Sequence, residues 1–382
     1  MDRIYYEPCE LPQNADALRH EVRDFLHTEL ADSSPSDRAN SWSDADAEFS
    51  KKLGARGWIG MTWPKKYGGH ERSMLERYVV QEELLAVGAP ITLHHIADRQ
   101  SGPLLMRFGS EAQCLDILPR VTKGECYFCI GMSEPDTGSD LAAVRTKAEK
   151  VDGGYLVNGS KIWTSRAHMV HYMIGLFRTD PKAEKHSGLS QFLVDLRNTD
   201  GIEIRPVINL AGRHDFNQVF FEDVFLSEDA LIGEENAGWD QVLTELTFER
   251  SGPERYMSSQ LLMESIIREA TQNPGERAAV EIGKMVSNLA SLRQMSLSVA
   301  SMQQNGRDPA MEGSLVKEIG VNFEQSIPRI AHELFGIEAG LENGSEMEKT
   351  YAKTNMVAPS FSLRGGTREV MRGIIAKRMG LR

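Results

Sequence analysis

Residues 126–165 read CYFCIGMSEPDTGSDLAAVRTKAEKVDGGYLVNGSKIWTS. Upstream of Cys126 apolar residues recur at helical spacing; from Cys126 the spacing drops to short runs rich in aromatic and β-branched residues, the pattern of strands. YFCIGM, AVRTKAEKV, YLVNG and KIWTS open the series, and HMVHYMIGLFR, SQFLVDL, IEIRPV and QVFFEDVFL continue it downstream. Asp152-Gly153-Gly154 and Asn158-Gly159 tolerate positive φ and predict turns, so the strands are expected to be antiparallel neighbours joined by hairpins. A small barrel or sandwich follows from short strands so connected.

Helices flank this β segment on both sides. Before it, Ala17–Leu30, Met74–Val87 and Ile91–Phe108 carry helical periodicity, and Ser110-Glu-Ala-Gln113 reads as a capping box. Trp58–Gly69 is aromatic and glycine-rich with Pro64 inside it, and predicts an ordered loop. After Gly238 the helical period returns through WDQVLTELTFER, ERAAVEIGKMVSNLASLRQMSLSVASM, SLVKEIGVNFEQSIPRIAHELF and TREVMRGIIAKRM, with Pro253 and Pro328 expected to kink or interrupt it. The resulting class is α+β, mostly α, divided as 1–124 helical, 125–235 β and 236–382 helical. No internal repeat or low-complexity tract interrupts that order.

The 382 residues suffice for two or three domains, and 41% hydrophobic with 26% charged residues is the balance of a globular chain. The net charge of −12 disfavours a nucleic-acid partner. Met1–Gln13 carries Asp2, Glu7 and Glu10 without the apolar run of a signal peptide, and no stretch is long enough to cross a bilayer. A cytoplasmic protein with no membrane partner is expected. Four cysteines in a chain this long make no disulfide framework, consistent with a reducing compartment.

Cys126 and Cys129 have C-x-x-C spacing, but side chains three apart on a strand diverge, and no second pair or histidine cluster accompanies them. No metal site is expected. His94 and His95 are adjacent, point apart on a helix and suit a surface or substrate cleft better than a metal. No G-x-G-x-x-G follows a strand, so any dinucleotide binds without a Rossmann motif. Gly131–Asp140, GMSEPDTGSD, ends a strand with hydroxyls, glycines and carboxylates. On its residues alone it is an acidic turn or a loop offering N–H groups and hydroxyls to a polar ligand.

GMSEPDTGSDLAA (131–143) closely resembles a signature loop of the acyl-CoA dehydrogenases, and NGSKIWTS (158–165) resembles their flavin-facing strand. The similarity extends over nearly the whole chain, through LGARGWIGMTWPKKYGG (53–69), GPLLMRFGSEAQCLDILP (102–119), FNQVFFEDVFL (216–226), LIGEENAGW (231–239) and GGTREVMRGIIAKRMGL (365–381). The resemblance implies an N-terminal helical domain, a central antiparallel β-barrel and a C-terminal four-helix bundle, with FAD between barrel and bundle. It assigns Met132 and Ser133 to the flavin pyrimidine edge, Trp163 to the ring face, Ser165 to the neighbourhood of N5, and Ser139 to the pantetheine arm of CoA. Thr367 and Glu369 match the C-terminal segment near the cofactor.

The reaction so implied is α,β-dehydrogenation of an acyl-CoA thioester, in which a carboxylate removes the α-proton and the β-hydrogen leaves as hydride to flavin N5. A base protected from water is strengthened by desolvation, and charge on the thioester oxygen is met by hydroxyl and N–H donors. Many family members carry the base directly before the Gly-Thr of the C-terminal segment, where this chain has Gly365. Members resembling isovaleryl-CoA dehydrogenase carry it before an arginine on the first long C-terminal helix, which is Glu249-Arg250 in LTFER here. Glu249 is therefore the expected base, Arg250 the residue that positions the base or the cofactor, and Glu245, one turn earlier, the second candidate.

Two runs that reach a neighbouring subunit's FAD in many homotetrameric members are altered here: R-x-x-F-G corresponds to Arg268–Gly275, and Q-x-x-G-G-x-G to Glu333–Gly340. This resembles the heteromeric acyl-CoA dehydrogenases of bacterial steroid breakdown. It implies a second acyl-CoA-dehydrogenase-like subunit in an α2β2 heterotetramer, with a homo-oligomer as the alternative. A bulky or steroid-derived acyl group and an electron-transfer flavoprotein as acceptor follow from the same resemblance. The competing readings are a cofactor-sharing structural subunit and a flavin oxidase or monooxygenase on the same fold.

Overall fold

The computed structural model describes residues 4–381, without the side chains of Ser41 and of residues 246–249. Helices α1 (Ala15–Glu29), α2 (Ala47–Ala55), α3 (Met74–Ala86) and α4 (Thr92–Ile96) come first; α4 continues through a π-helical turn, Ala97–Ser101, into α5 (Gly102–Phe108), and α6 (Glu111–Thr122) follows. Strands β1 (Phe128–Gly131), β2 (Lys147–Val151), β3 (Gly154–Ser165), β4 (Tyr172–Arg178), β5 (Leu189–Asp195), β6 (Ile202–Val207) and β7 (Phe216–Ser227) come next. The chain ends in α7 (Gly238–Glu249), α8 (Gln260–Gln272), α9 (Glu276–Gln304), α10 (Ala310–Phe335), α11 (Glu346–Val357) and α12 (Arg368–Arg378). The expected order of helices, strands, helices is present, and Ser110 caps α6 with both bonds of the capping box.

The chain divides into two compact units, neither continuous in sequence. One comprises residues 46–71 and 92–248, with the sheet, α2 and α4–α6. Its strands run β1-β4-β2-β3-β7-β6, with β5 on β4. β3 pairs with β2 and β7, β7 with β6, and β4 with β5, all antiparallel, while β1 and β2 meet β4 in parallel. The expected closed antiparallel barrel is thus replaced by an open, curled, mixed sheet. The reason lies in the connection after β1, which spends residues 132–146 on a loop with a 3-10 turn at Leu141–Ala143 instead of a hairpin.

Asn158-Gly159 also departs from expectation. YLVNG and KIWTS form one strand, and Gly159, at φ 143°, sits where the β3–β7 register slips by a bulge. An N-G pair serves a bulge as well as a turn because both need a backbone freed of Cβ crowding. A second slip lies between Lys161 and Thr164, and Trp163 within it has φ 60°. Val144, Leu176, Leu189 and Val242 form a buried cluster against which Met132, Leu141 and Trp239 pack, so α7 lies on the sheet face that carries the exit of β1.

The other unit comprises residues 1–45, 72–91 and 249–382. Its hub is α10, which contacts α8, α9, α11 and α12, while α3 packs on α8 and α9. Helices α8, α9, α11 and α12 thus gather around α10. Pro253 separates α7 from α8 as expected, but α10 runs through Pro328 without interruption. The carbonyl of Glu324, which loses its helical donor to the proline, accepts instead from the Ser259 hydroxyl at 2.8 Å.

Candidate functional site

Strand β1 delivers Met132 and Ser133 to the side of β3. The Ser133 carbonyl accepts from Ile162 N–H at 2.9 Å, extending the sheet by one bond beyond β1. The ammonium of Lys161, fully buried on β3, donates to the Met132 carbonyl at 3.0 Å and to Glu134 Oε1 at 2.8 Å. Glu134 in turn accepts from the N–H groups of Arg145 at 2.7 Å and Thr146 at 2.9 Å. Burial pushes Lys161 down to about 8, against the pull of Glu134. Burial also lifts the Glu134 carboxyl, but the Lys161 charge and its donors outweigh that and hold it below the usual range. Neither Lys161 nor Glu134 stood out in the sequence; the available signal was a carboxylate just after β1 and an ammonium inside β3.

Trp163 leaves β3 with its indole 57% exposed and meets the Phe216 ring edge-on, at 5.9 Å between centroids and 83°. A bulky residue at positive φ is uncommon and marks a held conformation. Ser165, half-buried, ends the strand. Behind it Asn217, fully buried, donates to the Thr164 carbonyl at 3.0 Å and faces two stacked imidazoles, His168 and His214, 3.7 Å apart. Both rings meet Asn217 Oδ1, at 3.1 and 2.7 Å. Burial first, and His214 second, push His168 below its ordinary value. Arg166 pairs with Asp215 at 2.6 Å and completes the brace under the end of β3. Asn217, His168 and His214 were not legible beforehand because they come from two segments that only strand pairing brings together.

Ser139 is exposed in the loop between Thr137 and the Leu141–Ala143 turn. His94 and His95 are both buried, not on the surface; His94 Nδ1 lies 2.9 Å from Ser50 Oγ. Cys126 and Cys129 are buried free thiols, and burial pushes Cys126 up to about 12 and Cys129 higher still. No group of ligating side chains suited to a metal occurs among the described residues.

Glu245 is 1% exposed on α7 and accepts from Gln191 Nε2 of β5 at 3.2 Å, while Gln241, one turn earlier, donates to the Ile232 carbonyl at 2.7 Å. That face of α7 is tied to the sheet. Glu249 is the last residue of α7, and its side chain lies outside the described residues. Arg250 follows it and is buried, unlike an ordinary surface arginine. In the second unit Thr367 caps α12, accepting from Val370 N–H, and Glu369 is exposed in its first turn. Backbone N–H and the Thr367 hydroxyl hold the Glu369 carboxyl below its ordinary value. The structure therefore brings Met132, Ser133, Trp163 and Ser165 together within one unit, and Thr367 and Glu369 together at the start of α12 within the other.

The residues of the first group fit a flavin. An exposed indole on a braced strand end offers a flat apolar face, and hydroxyls and strand-end N–H groups beside it suit the polar edge of a fused heteroaromatic ring. Fixed by Lys161 and Asn217, these groups need little rearrangement to accept it.

Comparison with known proteins agrees with this chemistry. The descriptions "Acyl-CoA dehydrogenase, N-terminal domain", "middle domain" and "C-terminal domain" match residues 12–125, 129–224 and 236–380. Acyl-CoA dehydrogenase FadE29 of Mycobacterium tuberculosis is 30% identical over 94% of each chain, and IpdE1 of Mycolicibacterium smegmatis is 30% identical over 87% of this chain and 86% of its own. Among solved structures, the Tcur3481-Tcur3483 steroid ACAD has a TM-score of 0.87 at 26% identity, over 97% of this chain and 98% of that one. The ChsE4-ChsE5 complex from Mycobacterium tuberculosis has 0.84 at 28%, over 98% and 100%. With models of all three domains matched along its length, the chain belongs to the acyl-CoA dehydrogenase family, whose cofactor is FAD.

Proposed function

We propose that the chain carries out FAD-dependent α,β-dehydrogenation of an acyl-CoA thioester, with Glu249 as the α-proton base. The observation that carries this reading is the braced Trp163 platform beside Met132 and Ser133, held by the buried Lys161–Glu134 pair. When bound, FAD supplies the acceptor for the β-hydrogen. Met132, Ser133, Trp163 and Ser165 hold and orient its ring, Thr367 and Glu369 serve the cofactor from the C-terminal segment, and Ser139 contacts the pantetheine arm of the substrate. Glu249 takes the proton at the α-carbon, and Arg250 positions it. Glu245 is the weaker candidate because Gln191 already engages its carboxylate.

The site is completed by a second acyl-CoA-dehydrogenase-like subunit. Where the family's cross-subunit run would continue, α8 ends at Gln272 and Pro274-Gly275 breaks the chain before α9. That elbow forms a groove of about 530 Å³ lined by Ile267, Ala270, Pro274 and Ala278. At the later run, α10 stops at a left-handed Gly336 and no helix resumes until Glu346. The two structural relatives named above are two-component assemblies, one described as a steroid ACAD. A bulky, steroid-derived acyl group and an electron-transfer flavoprotein as acceptor belong to the same reading. The test is Glu249→Gln in the flavin-loaded protein: bleaching of the flavin band by acyl-CoA should disappear while FAD is retained. Loss of bleaching in Glu245→Gln with Glu249→Gln active overturns the assignment.

A further inference from the structure

Gly313, Lys317, Gly320 and Glu324 follow one another on α10 at intervals of four, three and four, so they share one face of the helix. All four are buried. Each meets one or both of two segments. A Cβ on Gly313 would lie 3.5 Å from Ser251 and 3.8 Å from Arg250, and one on Gly320 would lie 2.6 Å from the Arg255 carbonyl. Glu324 accepts from Ser258 N–H at 3.1 Å through Oε2 and pairs with Arg364 at 2.9 Å through Oε1. Lys317 donates to the Gly366 carbonyl. Arg364 also donates to the Glu254 carbonyl at 3.2 Å and to the Ser258 hydroxyl, so the two segments are joined to each other as well as to α10.

The first segment, Arg250–Ser259, leads directly out of Glu249. The second, Arg364–Thr367, is the turn where many relatives keep their base and where this chain has Gly365 at φ 68° and Gly366 at φ 93°. We propose that Lys317 and Glu324 are positioning residues, through which one face of α10 sets the segment that follows the base and the C-terminal glycine turn in a single register. This rests on the reading of Glu249 and of the Thr367 segment given above. Gly320 lets the backbone of Arg255 approach the helix; the two charges, of opposite sign and two helical turns apart, bind the segments at defined points. Burial raises the Glu324 carboxyl even beside Arg364, and lowers the Arg364 guanidinium to about 10, so both are held out of water. A buried charge that loses its partner forces its surroundings to move, which is how a residue remote from the reacting atoms displaces them.

The experiment compares Lys317→Met, Glu324→Gln and Glu82→Gln in the flavin-loaded protein, copurified with its partner subunit if that is required for loading. Glu82 is buried, pairs with Arg19 and Arg293, outside both segments, and controls for stability alone. Lys317→Met should weaken FAD binding, read by fluorescence quenching, about tenfold; Glu324→Gln should lower kcat about tenfold with KM little changed and shift the limb of its pH profile set by the base. Glu82→Gln should lower the melting temperature and leave these readouts unmoved. If Lys317→Met fails to fold, Lys317→Gln, which keeps a donor without charge, should retain FAD binding better than Gly320→Ala, which pushes α10 away from Arg255. Melting-temperature changes alone in Lys317 and Glu324 variants, parallel to those of Glu82→Gln, overturn the inference. A wild-type protein that binds FAD but is not bleached by any acyl-CoA overturns the proposed function instead and leaves the FAD-binding arm of this test standing.

Discussion

Lys161 Nζ and Glu134 Oε1 are 2.8 Å apart, with side-chain exposures of 0% and 7%, and the same ammonium holds the Met132 carbonyl. The pair joins the loop after β1 to the strand that carries Trp163. Its energetic value is asymmetric: a buried ion pair adds little over an apolar pair of equal shape, but removing one partner strands the other charge.

Lys161→Met is accordingly expected to cost about 3–5 kcal/mol of unfolding free energy, because Glu134 remains buried without its cation. Glu134→Gln/Lys161→Met should recover part of that loss. Urea unfolding of both variants checks this, and equal stability of single and double variants would falsify the coupling. Flavin retention should fall with Lys161→Met, since the Met132 carbonyl loses its donor.

The pair also has a pH signature. Lys161 is held down to about 8 from its ordinary 10.5. Between those values the unfolded chain carries the proton and the native one does not, so this group makes unfolding free energy rise with pH; below about 8 both states are protonated and its slope vanishes. Glu134 acts in the acid range, where stability falls as pH drops through its depressed native value. The stability difference between wild type and Lys161→Met should therefore widen from pH 8 to pH 10 in urea titrations. A difference that stays constant over that window shows that Lys161 is not depressed.

Trp163→Ala separates binding from folding. Trp163 is 57% exposed and its ring meets Phe216 edge-on. Substitution of an exposed side chain changes stability by about 0.5 kcal/mol or less, and here relief of positive φ is no greater for alanine. FAD affinity, in contrast, should fall by at least about tenfold with loss of a stacking face. Trp163→Phe should recover much of it. Unfolding and flavin titration on one preparation distinguish the two effects.

The strand segments were legible because alternation and β-branched content mark them locally, and six of the eight predicted runs correspond to strands of their own. YLVNG and KIWTS merged because Gly159 absorbs a bulge, and whether an N-G pair turns or bulges depends on the partner strand β7, which local sequence does not show. The parallel contacts of β4 escaped for the same reason. Trp163, Met132 and Ser133 were identified through motif resemblance, whereas Lys161, Asn217 and the α10 face depend on segments 27 to 65 residues apart meeting in space.

Gly365 supplies a further test, because it occupies the place where many relatives carry the base. Its φ of 68° lies in the left-handed region, where a residue with a Cβ is disfavoured by about 1–2 kcal/mol. Gly365→Glu should therefore lower stability by about that amount without restoring bleaching to Glu249→Gln. Restoration of activity in the double variant would place the C-terminal turn within reach of the α-carbon and show that this chain retains both base positions.

The strongest test of assembly is the flavin content of the purified chain. On the reading that a second subunit completes the site, with α8 ending before Pro274-Gly275 and α10 ending at Gly336, the chain alone should copurify with little FAD. Expression with a second acyl-CoA-dehydrogenase-like subunit should yield a complex with flavin absorbance near one FAD per pair, read by size-exclusion chromatography at 280 and 450 nm. Filling the groove at the α8–α9 elbow by Ala279→Trp should weaken that complex more than it weakens the isolated fold, since Ala279 lines the groove and is exposed. One FAD per chain in a preparation of this chain alone removes the need for an unlike partner, and the altered runs are then compensated within a homo-oligomer.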